Sequence, residues 1–221
     1  TVVPEVDKEK CNYCGYCSEV CAYNALSVIK IDGSGDVLLF PHLCHGCEGC
    51  ILLCSEKAMK KAERAIGRVK IGVAEEVEFI EGRLNLSEVL ALKVIEKAKT
   101  FTNPQKITVI DAPPGTSCPA VTAIRGSDYC ILVTEPTPFG LHDLEIAYEV
   151  TKALGVRAGA IINKSDEDDL IEDFCGKNNI PILLKIPFQR QIAEAYSKGI
   201  PLIKAMPEYR EAFRELLRNI G

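Results

Sequence analysis

One cysteine spacing is written twice in this chain. Eight of the eleven cysteines fall into two runs. Cys11, Cys14, Cys17 and Cys21 follow C-x2-C-x2-C-x3-C, and Cys44, Cys47, Cys50 and Cys54 repeat that spacing 33 residues later. A thiol at every third position of a short loop can wrap three corners of an iron-sulfur cubane, and a fourth thiolate must then come from elsewhere. Three other chemistries compete. A disulfide framework suits a small secreted domain, whereas no signal peptide opens this sequence and the spacing is too regular. Zinc knuckles use cysteine pairs, or Cys with His, across a loop, and His42 and His45 invite that reading. Duplicated four-cysteine runs point away from zinc and leave the two histidines as solvated loop residues or cluster neighbours. The third is a structural role for the thiols without metal.

The runs resemble those of two-cluster bacterial ferredoxins, in which the fourth ligand of each cluster belongs to the other run. That resemblance implies two 4Fe-4S clusters, one on Cys11, Cys14, Cys17 and Cys54, the other on Cys44, Cys47, Cys50 and Cys21. Ferredoxin runs usually place Pro after the fourth cysteine, and here Ala22 and Ser55 stand there. This touches turn stiffness more than ligation.

The sequence divides by texture into residues 1–62, a two-cluster ferredoxin-like domain, and residues 63–221, an α/β domain. The first region has expected strands at 25–31 and 37–40 around an Asp32-Gly33-Ser34-Gly35 turn. It holds too little apolar surface to fold unaided, so cluster binding should supply much of its folding free energy. Beyond it, residues 68–73 and 77–80 alternate as a hairpin, and Ser87 is the expected N-cap of a helix over 88–99. Apolar runs at 107–110, 129–133, 158–162 and 182–186 then alternate with helical patterns at 141–154 and 170–177. That order predicts a mostly parallel sheet covered by helices on both faces, with ligands at the carboxyl ends of its strands.

Composition narrows the partners. A net charge of -5 and a pI near 5.4 argue against nucleic acid, which wants clustered Lys and Arg. The apolar stretches fall short of the roughly 18 residues of a spanning helix, and thiolate ligation fits a reducing, cytoplasmic compartment. A C-terminal helix over 207–220 is expected to pack on the sheet, since Glu208, Glu211 and Glu215 alternate with Arg210, Arg214 and Arg218 instead of forming a basic face.

The strand ends carry the remaining chemistry. The first apolar run closes on Asp111-Ala112-Pro113-Pro114-Gly115-Thr116-Ser117, the third on Asn163-Lys164-Ser165-Asp166, and the fourth on Pro187-Phe188-Gln189. An aspartate closing a buried strand is placed to hold the water shell of Mg2+. Over residues 107–206, including Ile-Pro-Phe-Gln-Arg-Gln-Ile-Ala-Glu-Ala-Tyr-Ser-Lys-Gly-Ile-Pro, the chain resembles the MinD and Mrp group of P-loop ATPases. The whole chain looks like a member of that superfamily with an inserted ferredoxin domain. The resemblance implies a P-loop NTPase sheet, Asp111 as the Walker B residue, Pro113, Pro114 and Gly115 as the phosphate-sensing switch, and Asn163, Pro187 and Phe188 as base contacts. Residues 163–166 also fit the N-K-x-D guanine signature, with Asp166 accepting from the ring. ATP with Mg2+ is the favoured ligand and GTP the alternative.

No G-x-x-x-x-G-K-S/T loop occurs, nor the deviant form of this group. The expectation is that a segment bearing it precedes Thr1 or comes from another polypeptide, the alternative being a relative that no longer binds nucleotide. No catalytic residue is assigned. Of the cysteines outside the runs, Cys130 and Cys175 read as small core residues, and Cys118 falls in the expected switch turn, where redox sensitivity or ligation at a dimer interface is the alternative to packing. Three functions follow: ATP-driven electron transfer through the clusters to a redox partner, from a homodimer; cluster assembly or delivery to an acceptor; or positioning, with structural clusters.

Overall fold

Each cysteine run is framed by strands. Strand β1 (Val2–Val6) precedes the first run, which contains the short helix α1 (Tyr16–Glu19), and β2 (Leu26–Ile31) follows it. Strand β3 (Ser34–Leu39) precedes the second run, which contains α2 (Gly49–Leu52), and β4 (Met59–Glu63) follows it. The computed structural model describes residues 1–31, 34–165 and 169–220; Asp32 and Gly33 of the expected turn and Asp166 of the expected base contacts lie outside them.

Strand β2 pairs with β3 and β1 with β4, both antiparallel. The two registers are equivalent under the 33-residue repeat. Leu26 faces Leu39 as Met59 faces Val6, and Ile29 faces Asp36 as Ala62 faces Val3. The loops repeat in conformation as well. Left-handed residues recur at the same offset: Tyr13 (φ 54) and Gly46 (φ 65), Gly15 (φ 90) and Glu48 (φ 63), Asn24 (φ 51) and Lys57 (φ 50). Only two of these six are glycine, and each of the others carries about 1 kcal/mol of backbone strain. Such strain persists only where the surroundings dictate the loop shape. Ala25 and Ala58, one step before β2 and β4, are both 1% exposed and anchor the two loop ends.

The hairpin is formed by β5 (Gly67–Ala74) and β6 (Val77–Leu84), and helix α3 (Ala91–Lys99) packs on it. Ile66, Leu84, Leu90 and Val94 make a small core there. The helix begins later than residue 88, and Ser87 is not its cap. Ser87 is left-handed (φ 61) and Leu90 occupies the N-cap position. The amides of Val89 and Leu90 instead donate to the Glu88 carboxylate. A carboxylate held by Arg64 outcompetes a free hydroxyl for those donors. These elements fall in the first of two compact units, Thr1–Val109; the second is Ile110–Gly221.

In the second unit, helix α4 (Cys118–Ile124) leads to β7 (Tyr129–Thr134), α5 (Pro138–Leu154), β8 (Arg157–Ser165), α6 (Leu170–Asn178) and β9 (Ile182–Pro187). Helices α7 (Arg190–Ser197), α8 (Leu202–Ala205) and α9 (Tyr209–Ile220) close the chain. The three strands form a parallel sheet in the order β7-β8-β9, so the chain is α/β as expected. Its core joins Leu132, Leu144, Ala160, Ile162, Ile171, Cys175 and Ile180, with Cys130 packed against them. Cys130 and Cys175 are thus small core residues, as their positions suggested.

Helix α5 shows complete end chemistry: the Thr137 hydroxyl accepts from the Gly140 amide, Pro138 occupies the first turn, and left-handed Gly155 (φ 67) ends the helix. Helix α9 packs on β9 and buries Leu216. No helix among the described residues is long and apolar enough to cross a membrane.

The expected strand at 107–110 is not formed. That stretch is irregular, with Ile107 and Val109 82% and 83% exposed. An apolar tetrapeptide becomes a strand only when another strand offers its backbone partners, and none among the described residues does so.

Candidate metal centre

The strand pairing brings the two runs together at their ends. Cys21 stands five residues before Leu26, and Cys44 five after Leu39, its ladder partner. Both therefore leave the same end of the β2–β3 ladder. By the same count Cys54 precedes Met59 and Cys11 follows Val6, so these two leave the same end of the β1–β4 ladder. The last cysteine of each run is delivered to the first cysteine of the other by register alone.

Two cavities result. One is lined by Cys44, Cys47, Cys50 and Cys21. The other, larger one is lined by Cys11, Cys14, Cys17 and Cys54, with Cys50 also at its wall. Each holds three thiols of one run and the last thiol of the other, and Cys50 lines both. Among the described residues no three His, Cys, Asp or Glu side chains converge on the space of a single ion. Four thiols ranged around a larger void suit a cubane better than zinc.

The surrounding backbone supports the same fit. The Ala25 amide donates to Cys21 Sγ at 3.2 Å, and its repeat counterpart, the Ala58 amide, donates to Cys54 Sγ at 3.4 Å. N–H donors aimed at sulfur stabilise thiolate charge and tune a bound cluster. Burial lifts the Cys17 thiol above its usual range. Burial and then the neighbouring Cys44, Cys47, Cys17 and Cys21 push Cys50 up to about 11. Crowded thiols resist ionising beside one another, and a metal that binds thiolates removes that repulsion.

The expected nucleotide contacts are placed in two groups. Asn163 stands opposite Ile186 in the β8–β9 ladder and Ser165 opposite Pro187. The Phe188 amide donates to the Ser165 carbonyl at 3.1 Å. Asn163, Pro187 and Phe188 thus gather at the carboxyl ends of adjacent strands, and Phe188 is 72% exposed. Lys164 Nζ pairs there with Glu135 at 2.8 Å, joining the ends of β8 and β7. Asp111, Pro113, Pro114 and Gly115 lie in an exposed irregular stretch before α4. Cys118 is the exposed first residue of α4.

Residue types alone did not reveal two features. The rings of Tyr23 and His45 stack 3.7 Å apart at the wall of the smaller cavity. Asn12 Oδ1 accepts from the Cys14 amide at 3.0 Å, which shapes the first loop. His45 adjoins Cys44, so its place beside the thiols follows from the spacing; its pairing with Tyr23 depends on the register of β2 and β3.

Residues 4–27 match a 4Fe-4S binding domain family, so the chain contains a 4Fe-4S cluster-binding domain. The uncharacterized protein MJ0578 of Methanocaldococcus jannaschii is 27% identical over 218 residues, covering 96% of this chain and 72% of that protein. An iron-sulfur cluster carrier protein of Rickettsia typhi is 31% identical over 120 residues, covering 51% of this chain and 38% of that protein. Among solved structures, the MinD cell division protein of Aquifex aeolicus aligns at a TM-score of 0.46 and 18% identity over 59% of each chain. A second protein of M. jannaschii, the uncharacterized MJ0579, is 30% identical over 206 residues. Because that match covers 91% of this chain and 69% of the relative, the chain belongs to the family of MJ0579.

Proposed function

We propose that this chain is the iron-sulfur part of an ATP-binding protein of the MinD and Mrp type, in which nucleotide binding and hydrolysis are coupled to electron transfer through two 4Fe-4S clusters. The observation that carries this reading is the pair of cavities, each lined by three thiols of one run and the last of the other. Cys11, Cys14, Cys17 and Cys54 hold one cluster and Cys44, Cys47, Cys50 and Cys21 the second, with the Ala25 and Ala58 amides directed at sulfur. When bound, such clusters supply one-electron transfer at a potential set by charge, hydrogen bonds and solvent access. Asn163, Asp166, Pro187 and Phe188 contact the base. Asp111 holds the water shell of Mg2+, and Pro113, Pro114 and Gly115 sense the terminal phosphate. The reading requires a phosphate-cradling loop from outside these 221 residues, a redox partner protein, and a homodimer in which the two nucleotide sites switch together.

Anaerobic iron and sulfide analysis with EPR, with and without MgATP, tests it on the protein together with its phosphate loop. Two clusters per chain whose reduction or partner affinity changes with MgATP are expected. Clusters indifferent to nucleotide would overturn the coupling.

The 31% identity to an iron-sulfur cluster carrier favours a second reading, ATP-driven delivery of clusters to an acceptor. Transfer of iron and sulfide to an apo acceptor, accelerated by ATP, would select it. Four ligands drawn from two separate runs favour retention over delivery, although Cys14 and Cys47 are exposed.

A further inference from the structure

We propose that the stacked Tyr23 and His45 rings are a solvent shield over the Cys21, Cys44, Cys47 and Cys50 cavity, making the two halves of the duplicated site unequal. The inference rests on the reading that each cavity holds a cluster. The rings lie 3.7 Å apart, inclined by 7°, and both side chains line that cavity beside the thiols. Tyr23 follows Cys21 by two residues and His45 follows Cys44 by one. The stack therefore sits where the two chain segments meet.

The repeat supplies an internal control. At the equivalent positions, 33 residues away, stand Glu56 and Asn12, and both line the other cavity. Neither can stack. Asn12 spends its Oδ1 on the Cys14 amide at 3.0 Å, and Glu56 accepts from the Ser55 hydroxyl at 3.3 Å. Glu56 and Asn12 are both exposed, whereas His45 is half-buried beneath the outer, 43% exposed Tyr23 ring, and Cys44 is buried where its counterpart Cys11 is only half-buried. Backbone conformation does not account for the contrast, because the strand registers and the left-handed loop residues repeat in both halves. Side-chain chemistry does: an aromatic plate excludes water, while a carboxylate and an amide hold it.

The test is anaerobic release of iron to EDTA from the reconstituted chain, followed with the EPR of the dithionite-reduced protein. Two phases of similar amplitude are expected. Tyr23→Ala and His45→Ala should each speed the slow phase about tenfold, the lower range for loss of an outer-shell partner. They should alter the EPR signature of one cluster and leave the fast phase unchanged. Tyr23→Phe, which keeps the ring, should release iron as the native chain does. Where Tyr23→Ala fails to take up iron, the graft Asn12→His with Glu56→Tyr decides, because it should slow the fast phase.

A chain that takes up only one cluster's worth of iron overturns the two-cluster reading and the inference with it. Two clusters' worth released in a single phase, or both phases sped alike by Tyr23→Ala, overturns the shield and leaves that reading standing.

Discussion

Burial alone would push the Glu88 carboxyl up, yet it is held below the ordinary 4.5 of a glutamate because Arg64 and the amides of Val89 and Leu90 hydrogen-bond the charged form. Its side chain is 2% exposed and that of Arg64 19%. Arg64 Nε and Nη2 are buried without a hydrogen-bond partner among the described residues, so Glu88 is what compensates this cation. Glu88→Gln keeps the shape and an acceptor while removing the charge, and should cost about 2 kcal/mol at neutral pH. The sign with pH follows from the depressed pKa. The carboxylate's contribution is complete above the unfolded value near 4.5 and is lost as pH falls through the lower folded value. Hydrogen exchange over α3 should therefore differ between native and Glu88→Gln chains at neutral pH, and the difference should close in acid. A gap that persists unchanged in acid would assign the stabilisation to something other than the charge.

The helix starts carry a second consequence. Gly140 lies in the first turn of α5, where alanine ordinarily gains about 1 kcal/mol over glycine. Here a Cβ would run into the Glu135 carbonyl and come within 2.9 Å of Thr134 Oγ1, so Gly140→Ala should instead lose about 1–3 kcal/mol. Gly176 in α6 has open space around it, and Gly176→Ala should gain up to about 1 kcal/mol; urea melts of the two variants moving in the same direction would contradict this. Elements of this kind were legible because their signals are local. The apolar period over 141–154 marks α5, although its Thr137-Pro138 start went unread and the helix begins three residues earlier, and short apolar runs mark β7, β8 and β9. Strands β1 and β4 were not legible. Val-Val-Pro-Glu-Val contains a proline, tolerated only because a two-stranded ladder is all edge, and Met-Lys-Lys-Ala-Glu looks solvated. Their pairing spans most of the domain, and its one sequence signal is the 33-residue offset from β2 and β3. The failure at residues 107–110 has the opposite origin: an apolar run was read as a strand although strand formation depends on a neighbour. The doubled cysteine run was legible because its spacing is a local signal, while the Tyr23 and His45 stack needs the folded register.

At the scale of the whole chain the two units are held by different physics. In the first, the cores around the runs are small and include the thiols themselves: Val3, Ala25 and Cys44 are buried together, with Cys21 beside them. Many apolar side chains there remain open to solvent, Ile31 at 64% and Leu52 at 75% among them, so the transfer of apolar surface leaves little to offset chain entropy. The loops also store strain at Tyr13, Asn24, Glu48 and Lys57. The proposed clusters, by crosslinking the thiols of each cavity, would supply the remaining free energy, and their binding would then be part of folding. The second unit has a core of Leu132, Leu144, Ala160, Ile162, Ile171, Cys175 and Ile180 that contains none of the eight run cysteines. Removing iron with a chelator should therefore raise hydrogen exchange across β1 to β4 toward that of an unfolded chain, while β7, β8 and β9 keep their protection. Restoring iron and sulfide under reducing conditions should return the protection of β1 to β4. Strands β1 to β4 that stay protected without iron would show that their own packing suffices, and loss of protection in β7 to β9 would show that the second unit depends on the first.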